Sequence, residues 1–489
     1  MVATDIAISS VGSSRLRLSL PLLIGLLCYA AVVALGNRVL ADPDTYWHIA
    51  IGRWIIANHT VPTEDIYSFT MPGAAFTPPE WLAEIVIASI FDHFGWAGLV
   101  AVTGLCAAAA VGILLRILLR TLIPVHALIA AVLAAGLAAS HVLARPHIFA
   151  LPILVLWTAE LVRARDKDRA PPLWLAVVII VWANIHSSYI LGIGLAGLLG
   201  AEALILADNW SQRFRTARAW ALFGLLSTTA ALITPFGIGG LLLPFHLIGM
   251  SFAFSVVAEW GSPNFQHFQP LEIWIMGLLA AGLSFGWRLP PTRVGIVLLL
   301  LHMTLSHSRY AEQLGFITPL LLVSALSLPL AKLGGPRTSS LDSAFASLST
   351  PANLPGCLLA GLILVGTSVV GLRNGVDHNV GTTPAAAISA AEAQHAEGPV
   401  LNDYNFGGYL IFRGIKPFID GRYFYGDPFI RRYVEAVNLK GDEFPVLLAQ
   451  YGIRWTLLQP HQPAVALLDH LSGWRRVYAD EIAVVHVRD

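Results

Sequence analysis

Charged residues are scarce in this chain. Only 12% of its 489 residues are Asp, Glu, Lys or Arg, 56% are hydrophobic, and the mean hydropathy is +0.68. A soluble protein of this length needs more charge to cover its surface, whereas repeated apolar runs of about 20 residues match a bilayer. The formal net charge is zero, so the composition gives no sign of the excess of basic residues that is typical of nucleic-acid binding. The composition therefore predicts a polytopic membrane protein without a nucleic-acid partner.

Cysteines and two common catalytic motifs are also scarce or missing. The three cysteines, Cys28, Cys106 and Cys357, each lie inside an apolar run, which favours buried thiols over a disulfide framework or metal site. The sequence lacks G-x-x-x-x-G-K-[ST], which argues against ATP as an energy source. It also lacks H-E-x-x-H, which argues against a zinc site.

The apolar runs predict eleven transmembrane helices. They lie at about 17–38, 95–119, 123–141, 147–163, 172–188, 190–207, 217–235, 271–287, 293–309, 312–331 and 355–373. With the N-terminus inside, fifteen Lys and Arg residues fall in inner segments and four fall in outer segments before residue 373. Because positive charge is retained on the inner side, this asymmetry predicts an inside N-terminus and an outside C-terminus.

Two outer loops and a C-terminal region complete the predicted organisation. The loops run from about 39 to 94 and from 236 to 270, and their short amphipathic pieces are expected to lie along the interface with the apolar side in lipid. From residue 374 to 489, short strands alternate with helices and end in a hairpin, "WRRVYADEIAVVHVRD". This region predicts a small extracytoplasmic α/β domain after a transmembrane domain of residues 1–373.

The first outer loop concentrates carboxylates and aromatic residues. Asp42 and Asp44 stand in "ADPDTYWHIAIGRW" just before Trp47 and His48, and the loop continues to "PPEWLAEI" with Glu80. One interpretation is that the two aspartates cap the following helix. The other is a site for a polar headgroup, in which a carboxylate deprotonates a hydroxyl group or holds a divalent cation.

This arrangement resembles the GT-C superfamily of polytopic membrane glycosyltransferases. The shared features are an acid motif after the first helix, interfacial helices in the first long loop, many further spans and an external C-terminal domain. More narrowly, "DPDTYWHIAIGRWI", "VPTEDIYSFT" and "PPEWLAEI" resemble the opening of a group of bacterial polytopic proteins. The segments "NDYNFGGYLIF" and "FIDGRYFYGD" are similar to the C-terminal region of that group.

The resemblance implies a donor sugar linked to polyprenyl phosphate, membrane lipids as surroundings and an unidentified extracytoplasmic acceptor. It also implies the inner membrane of a bacterium. Carried onto this sequence, Asp44 is the first choice for the base and Asp42 is its partner. In the alternative, the two bind a divalent cation such as Mg²⁺ or Mn²⁺. Many members of the superfamily place a second acid directly beside the catalytic one, whereas Pro43 intervenes here.

Outer arginines and histidines supply the other candidate binding residues. Arg53, Arg145 and Arg309 fall at outer helix ends, where positive charge is otherwise avoided. An arginine there can hold the phosphate of the donor, or it can reach lipid phosphates, and Arg53 can simply pair with an acid. His186 in "WANIHSSY" either lines the site or belongs to a polar helix turn. With Glu80, His48 and Trp47, these residues form the predicted substrate-binding set.

Two other classes of function remain open at this stage. A transporter or flippase of a lipid-linked solute predicts an internal repeat and charges near the midplane, whereas the charges here gather at one face. A non-enzymatic envelope assembly protein leaves the acid-rich first loop unexplained. The C-terminal cluster of Asp403, Asn405, Asp420, Arg422 and Asp427 either belongs to turns or faces the membrane site and holds the acceptor.

Overall fold

The computed structural model describes residues 16–250, 252, 255, 260–285, 289–333, 345, 348–373, 375–376 and 383–489. Helices dominate up to residue 372. They are α1 (Leu20–Ala34), α2 (Gly36–Val39), α3 (Asp44–Asn58), α4 (Trp81–Leu118), α5 (Pro124–Ala138), α6 (His147–Asp166), α7 (Ala176–Ile185), α8 (Tyr189–Ile205), α9 (Trp210–Ala231), α10 (Gly237–Ile248), α11 (Pro270–Phe285), α12 (Pro291–Ser306), α13 (Ala311–Leu333) and α14 (Leu354–Leu372).

The helices have the lengths and compositions of a multi-pass membrane protein. Each of the eleven predicted spans overlaps one of them. Within the described residues, four helices are long and apolar enough to cross a membrane, and several shorter ones are apolar. The four are Trp81–Leu118, Pro124–His141, His147–Asp166 and Leu354–Leu372. The number of spans, eleven, stays a prediction.

Local chemistry explains where several helices begin and bend. The Asn209 side chain accepts a hydrogen bond from the Gln212 amide at the start of α9, and Asn353 accepts one from Gly356 at the start of α14. In α4, Gly95 adopts φ 61°, a conformation that suits glycine, and it kinks the 38-residue helix. The kink separates an outer segment from the apolar segment that follows.

The first outer loop packs against protein rather than lipid, which differs from the sequence expectation. Helix α3 contacts the outer part of α4 and a helix of the C-terminal domain. Tyr46, Trp47, Ile49 and Ile51 are all buried. The sequence alone does not predict that other parts of the protein cover α3, because the apolar face of α3 suits a lipid surface and a protein surface equally well.

The C-terminal domain is a mixed four-stranded sheet with five helices. The strands are β1 (Val400–Asn402), β2 (Trp455–Leu458), β3 (Trp474–Ala479) and β4 (Val484–Arg488), in the order β1-β2-β4-β3. The helices are α15 (Ala385–Ala393), α16 (Gly407–Phe412), α17 (Gly426–Val437), α18 (Glu443–Gln450) and α19 (Pro463–Leu468). Strands β1 and β2 are parallel, and the β3–β4 hairpin is antiparallel.

The sequence predicts short strands in two segments of this domain, and one of the two is found. The segment "GPVLNDYNFGGYLIF" contains β1, and its last six residues form α16, in which Leu410 and Ile411 are buried. The segment "KPFIDGRYFYG" was also expected to contain a strand, but its described residues form turns and a 3₁₀ helix, Tyr423–Tyr425. The predicted start of the domain, residue 374, lies outside the described residues.

The C-terminal domain and the first outer loop share a hydrophobic core. Tyr46 of α3 packs edge-on against Tyr409, with ring centroids 4.9 Å apart, and Trp96 of α4 packs against Tyr46 at 5.4 Å. The Thr70 hydroxyl donates to the Phe418 carbonyl at 2.7 Å. Because apolar packing and hydrogen bonds both cross the boundary, the domain is fixed over the acid motif.

Candidate active site

A single arginine bridges the two aspartates of the acid motif. Arg145 Nη1 lies 3.0 Å from Asp42 Oδ2, and Arg145 Nη2 lies 2.8 Å from Asp44 Oδ2. Backbone contacts set this alignment, because the Ala144 amide donates to the Val39 carbonyl at 3.0 Å and the Thr45 hydroxyl donates to the Ala144 carbonyl at 3.2 Å. The start of α6 is therefore held beside the start of α3.

The two aspartates have different local roles. Asp42 is buried, and its Oδ1 accepts a hydrogen bond from the Asp44 amide at 2.8 Å, as in an Asx turn. Asp44 keeps 20% of its side chain exposed. Residue Pro43 occupies the N-cap of α3, and no side chain caps the helix there. The capping interpretation thus accounts for Asp42 in part, and it does not account for Asp44.

Glu80 lies between two histidines at the start of α4. Its carboxylate oxygens are 3.8 Å from His48 Nε2 and 3.4 Å from His186 Nε2. Burial raises the pKa of Glu80 to about 7, against the opposing effect of Arg145 and Arg309. Burial also holds the pKa of both His48 and His186 well below the usual range, so the two imidazoles are neutral at pH 7.

The second nitrogen of each histidine is also engaged. His48 Nδ1 lies 3.0 Å from Glu84 Oε1, and His186 Nδ1 lies 2.9 Å from the Ser188 hydroxyl. Glu84 is one helical turn after Glu80, so both face the same side of α4. Glu80 lines the cleft on this side, and Glu84, one turn further along α4, is fully buried beneath it.

A small polar cleft of about 50 Å³ opens beside Arg145. Its walls come from the starts of α4, α6 and α13 and from the turn between α7 and α8. The lining residues are Glu80, His141, Leu143, Arg145, Pro146, His147, His186, Arg309, Glu312 and Gln313. The Arg309 guanidinium stacks over the Trp260 ring at 4.2 Å, and it forms no salt bridge to a carboxylate among the described residues. The cleft thus brings two arginines and several proton-accepting groups to one place.

The C-terminal domain contacts the acid motif directly through two glycines. A Cβ on Gly421 would collide with Asp44 Oδ1, and one on Gly408 would come within 2.5 Å of the Pro43 carbonyl oxygen. Only glycine permits so close an approach of the two backbones. The neighbouring Arg422 forms salt bridges to Asp420 and to Asp65 of the first outer loop, each at 2.7 Å.

Six of the predicted site residues come together in or beside the cleft. They are Asp42, Asp44, His48, Glu80, Arg145 and His186, and Arg309 joins them from the far wall. Two predicted binding residues lie elsewhere. Trp47 is 8% exposed and packs with Ile51 and Phe76 in a hydrophobic cluster, so it cannot stack on a sugar. Arg53 is exposed and pairs with Asp92 at 2.5 Å, away from the cleft.

The sequence prediction missed part of the far wall. Glu312 and Gln313 are 5% and 7% exposed and line the cleft at the start of α13. His147 is a third unassigned lining residue, and its Nε2 lies 2.7 Å from the His141 carbonyl. A signal existed, because a polar pair three residues after Arg309 and directly before an apolar run is costly unless it faces a wet cavity.

The described residues do not fit a divalent cation at the acid motif. The carboxylates of Asp42 and Asp44 both face the Arg145 guanidinium, whose charge would oppose a metal ion. Among the described residues, no group of three or more His, Cys, Asp and Glu side chains is arranged to hold one.

Comparison with solved structures finds membrane glycosyltransferases. The oligosaccharyltransferase of Archaeoglobus fulgidus, in its apo form, aligns with 89% of this chain and 69% of its own, at 11% identity and a TM-score of 0.49. ArnT from Cupriavidus metallidurans, in the apo state, aligns with 94% of this chain and 97% of its own, at 14% identity and a TM-score of 0.46. Both neighbours belong to the GT-C superfamily, which the sequence resembles.

At these identities and TM-scores, the likeness assigns neither an activity nor a substrate to this chain. No protein-family model matches the chain, and no curated protein matches it.

Proposed function

We propose that this protein is a membrane glycosyltransferase that moves a sugar from a polyprenyl-phosphate-linked donor to an extracytoplasmic acceptor. The observation that supports this most is the composition of one cleft, where Arg145 and Arg309 stand opposite the carboxylate of Glu80 and beside that of Asp44. Transfer of a sugar from a phosphate needs both a partner for the departing anion and an acceptor for a proton. This cleft offers both.

The departing phosphate would bind the two arginines. As the bond between the sugar C1 and the phosphate oxygen breaks, negative charge grows on that oxygen. Arginine offers several N–H donors in a planar fork that matches a phosphate. Arg309 lacks a carboxylate partner in the described part of the chain, so its charge is available to an anion. Arg145 lines the same cleft.

The acceptor hydroxyl would lose its proton to a carboxylate while its oxygen bonds to C1. We assign this role to Asp44, which Arg145 orients and which stays partly exposed. Asp42 fixes the turn that presents Asp44. Glu80 lines the cleft and is the alternative base. The buried neutral histidines, His48 and His186, would hold Glu80 in position.

The surroundings of the site agree with a lipid-linked donor and a polar acceptor. The cleft lies at the starts of α4 and α6, where apolar helices meet the C-terminal domain. A polyprenyl chain would remain in the bilayer while its phosphate enters the cleft. We place the protein in a bacterial inner membrane with the N-terminus inside and the C-terminal domain outside, because the basic residues favour that topology. The C-terminal domain would cover the acceptor side.

The test replaces Asp44 and reads the product in the envelope. A strain lacking the gene is complemented with wild type, Asp44→Asn, Glu80→Gln or the control Asp92→Asn, and its envelope glycans and glycolipids are compared by intact mass. We expect wild type and the control to restore one sugar-sized increment. Asp44→Asn should lower the amount of the sugar-modified product about 10²- to 10⁴-fold, the range for loss of a general base. Asp92 is a matched control, since it is an exposed aspartate in the outer part of α4.

The other outcomes for Asp44→Asn and Glu80→Gln identify a different base or overturn the proposed function. If Glu80→Gln loses transfer and Asp44→Asn retains it, the base is Glu80. If both variants restore the increment as wild type does, with equal amounts in the membrane, the glycosyltransferase proposal fails and transport or assembly takes its place.

A further inference from the structure

A second, larger cavity lies at the opposite ends of the helices that build the cleft. Helix α6 begins at the cleft with His147 and reaches the second cavity at Asp166, which is about 30 Å away for a 20-residue helix. Helix α4 likewise runs from the cleft to Arg116 and Leu118. The second cavity, of about 470 Å³, lies between α4, α6 and α13 and is partly open. It therefore lies at the other face of the membrane.

Cationic side chains surround one part of this cavity. Arg116, Arg120, Arg163 and Lys167 all line it, with Glu160 and Asp166 as the acidic residues. Arg163 pairs with Glu160 at 3.2 Å, and Asp166 is engaged by Arg293 and by the Ser324 hydroxyl. Arg116, Arg120 and Lys167 form no salt bridge with any described residue. Three positive charges thus remain available for an anion.

Apolar side chains line the rest of the cavity. They are Ile113, Ile117, Leu156, Leu320 and Val323. Leu156 is 48% exposed in the middle of an apolar helix, so this wall opens toward the hydrocarbon of the bilayer. A free phosphate would fill only the cationic part. An amphiphile with an anionic head and an acyl chain matches both parts.

We propose that the cavity at the ends of α4, α6 and α13 binds the phosphate head group of an anionic membrane phospholipid. Arg116, Arg120 and Lys167 hold the phosphate, and an acyl chain lies along Ile117 and Leu156. The site is separate from the cleft and does not depend on the proposed transfer reaction.

A second candidate to occupy this cavity is the chain segment that follows α13, and its charge and polarity match the cavity less well. The chain that follows α13 continues "GGPRTSSLDSA" at residues 334–344, in which Arg337 and Asp342 cancel. With no net charge and with Leu341 as its one large apolar residue, the segment matches the three cations and the apolar wall of the cavity less well than a phospholipid does. Charge complementarity therefore favours a lipid over this segment.

The experiment measures lipid binding to the full-length protein in detergent by native mass spectrometry. The probes are phosphatidylglycerol, phosphatidylcholine with the same acyl chains, and inorganic phosphate. The variants are Arg116→Gln with Arg120→Gln, and Glu160→Gln. The matched control is Arg213→Gln with Arg215→Gln, because these arginines of α9 are exposed and do not line the cavity.

We expect wild type to bind one phosphatidylglycerol more tightly than phosphatidylcholine. Loss of two cations should weaken phosphatidylglycerol binding about 30-fold, from the typical contribution of a cation near an anionic lipid. The control should stay within about twofold of wild type. Glu160→Gln should tighten binding, because it frees Arg163 from its carboxylate. A gain in affinity cannot come from misfolding, so this variant keeps the test valid if the arginine variant is unstable.

Three results would overturn the proposal. The first is equal binding of the two phospholipids. The second is equal weakening in the cavity variant and in the control. The third is displacement of the lipid by inorganic phosphate at similar concentration, which would make the site a free-phosphate site.

Discussion

Two arginines of the outer region each bridge two aspartates, and their surroundings differ. Arg422 joins Asp65 of the first outer loop to Asp420 of the C-terminal domain, and all three side chains are fully buried. The rings of Tyr67, Phe76 and Phe424 surround the guanidinium at 4.8 to 5.4 Å. Arg145 joins Asp42 to Asp44 with 19% of its side chain exposed and faces a cleft.

The difference separates a closed ion cluster from one that is open to the cleft. Tyr425 also donates to Asp420 at 2.7 Å, and the Ser68 hydroxyl donates to Asp65, so the Arg422 cluster has no room for a ligand. The Arg145 cluster leaves one carboxylate and part of the guanidinium open. The same residue types thus fix the domain to the loop in one place and present reactive groups in the other.

The largest effect is expected from Arg422→Met. Removing this arginine leaves Asp65 and Asp420 buried without their cation, which typically costs about 3–5 kcal/mol. We expect the variant to lose most of its folded fraction in the membrane or to unfold at a much lower temperature. Thermal unfolding in detergent and resistance to proteolysis measure this.

Arg145→Met is the corresponding substitution in the Arg145 cluster. Because water reaches this cluster, we expect a far smaller loss of stability. The restored envelope product should fall about 10²–10³-fold, the typical loss on removing one preorganised donor to developing charge. If Arg145→Met unfolds the protein as severely as Arg422→Met, the functional reading of the Arg145 cluster is wrong.

The sequence predicted the members of the Arg145 cluster better than those of the Arg422 cluster. Asp42, Asp44, Arg145 and Glu80 were identifiable because charge is rare near a membrane span and therefore conspicuous. The pairing of Arg422 with Asp65 joins residues 357 positions apart, and no local pattern encodes it. Trp47 was misplaced for a related reason, since periodicity does not reveal which side of a helix another domain will cover. Arg53 pairs with Asp92, as its alternative interpretation predicted.

Glu80→Gln is expected to change the pH dependence of stability by a moderate amount. The pKa of Glu80 is about 7 in the folded protein against 4.5 for the free group, so the folded state holds this proton more tightly. The resulting stabilisation is complete below pH 4.5 and is lost as pH rises through about 7. The free energy of unfolding should fall by up to about 3 kcal/mol over that range, and Glu80→Gln should remove this part.

The difference between the pH dependences of stability of wild type and Glu80→Gln isolates the contribution of Glu80 from those of its neighbours. His48 and His186, which face it, have lowered pKa values and contribute the opposite slope in both proteins. Thermal unfolding from pH 4.5 to 8 with each protein gives the comparison. Parallel curves for the two proteins would show that Glu80 is ionised throughout, and that water or an ion in the cleft compensates its burial.

Arg53→Gln is expected to have the smallest effect. Arg53 and Asp92 are 42% and 38% exposed, and exposed pairs of this kind contribute about 0–1 kcal/mol. Arg53 follows Asp44 by nine residues in α3, about half a turn around the helix, so it faces away from the acid motif. We expect unchanged transfer and a slight decrease in unfolding temperature, similar to that of Asp92→Asn. Loss of transfer in Arg53→Gln with a normal unfolding temperature would mean that substrate contacts both sides of α3, and the cleft beside Arg145 would then be only part of the site.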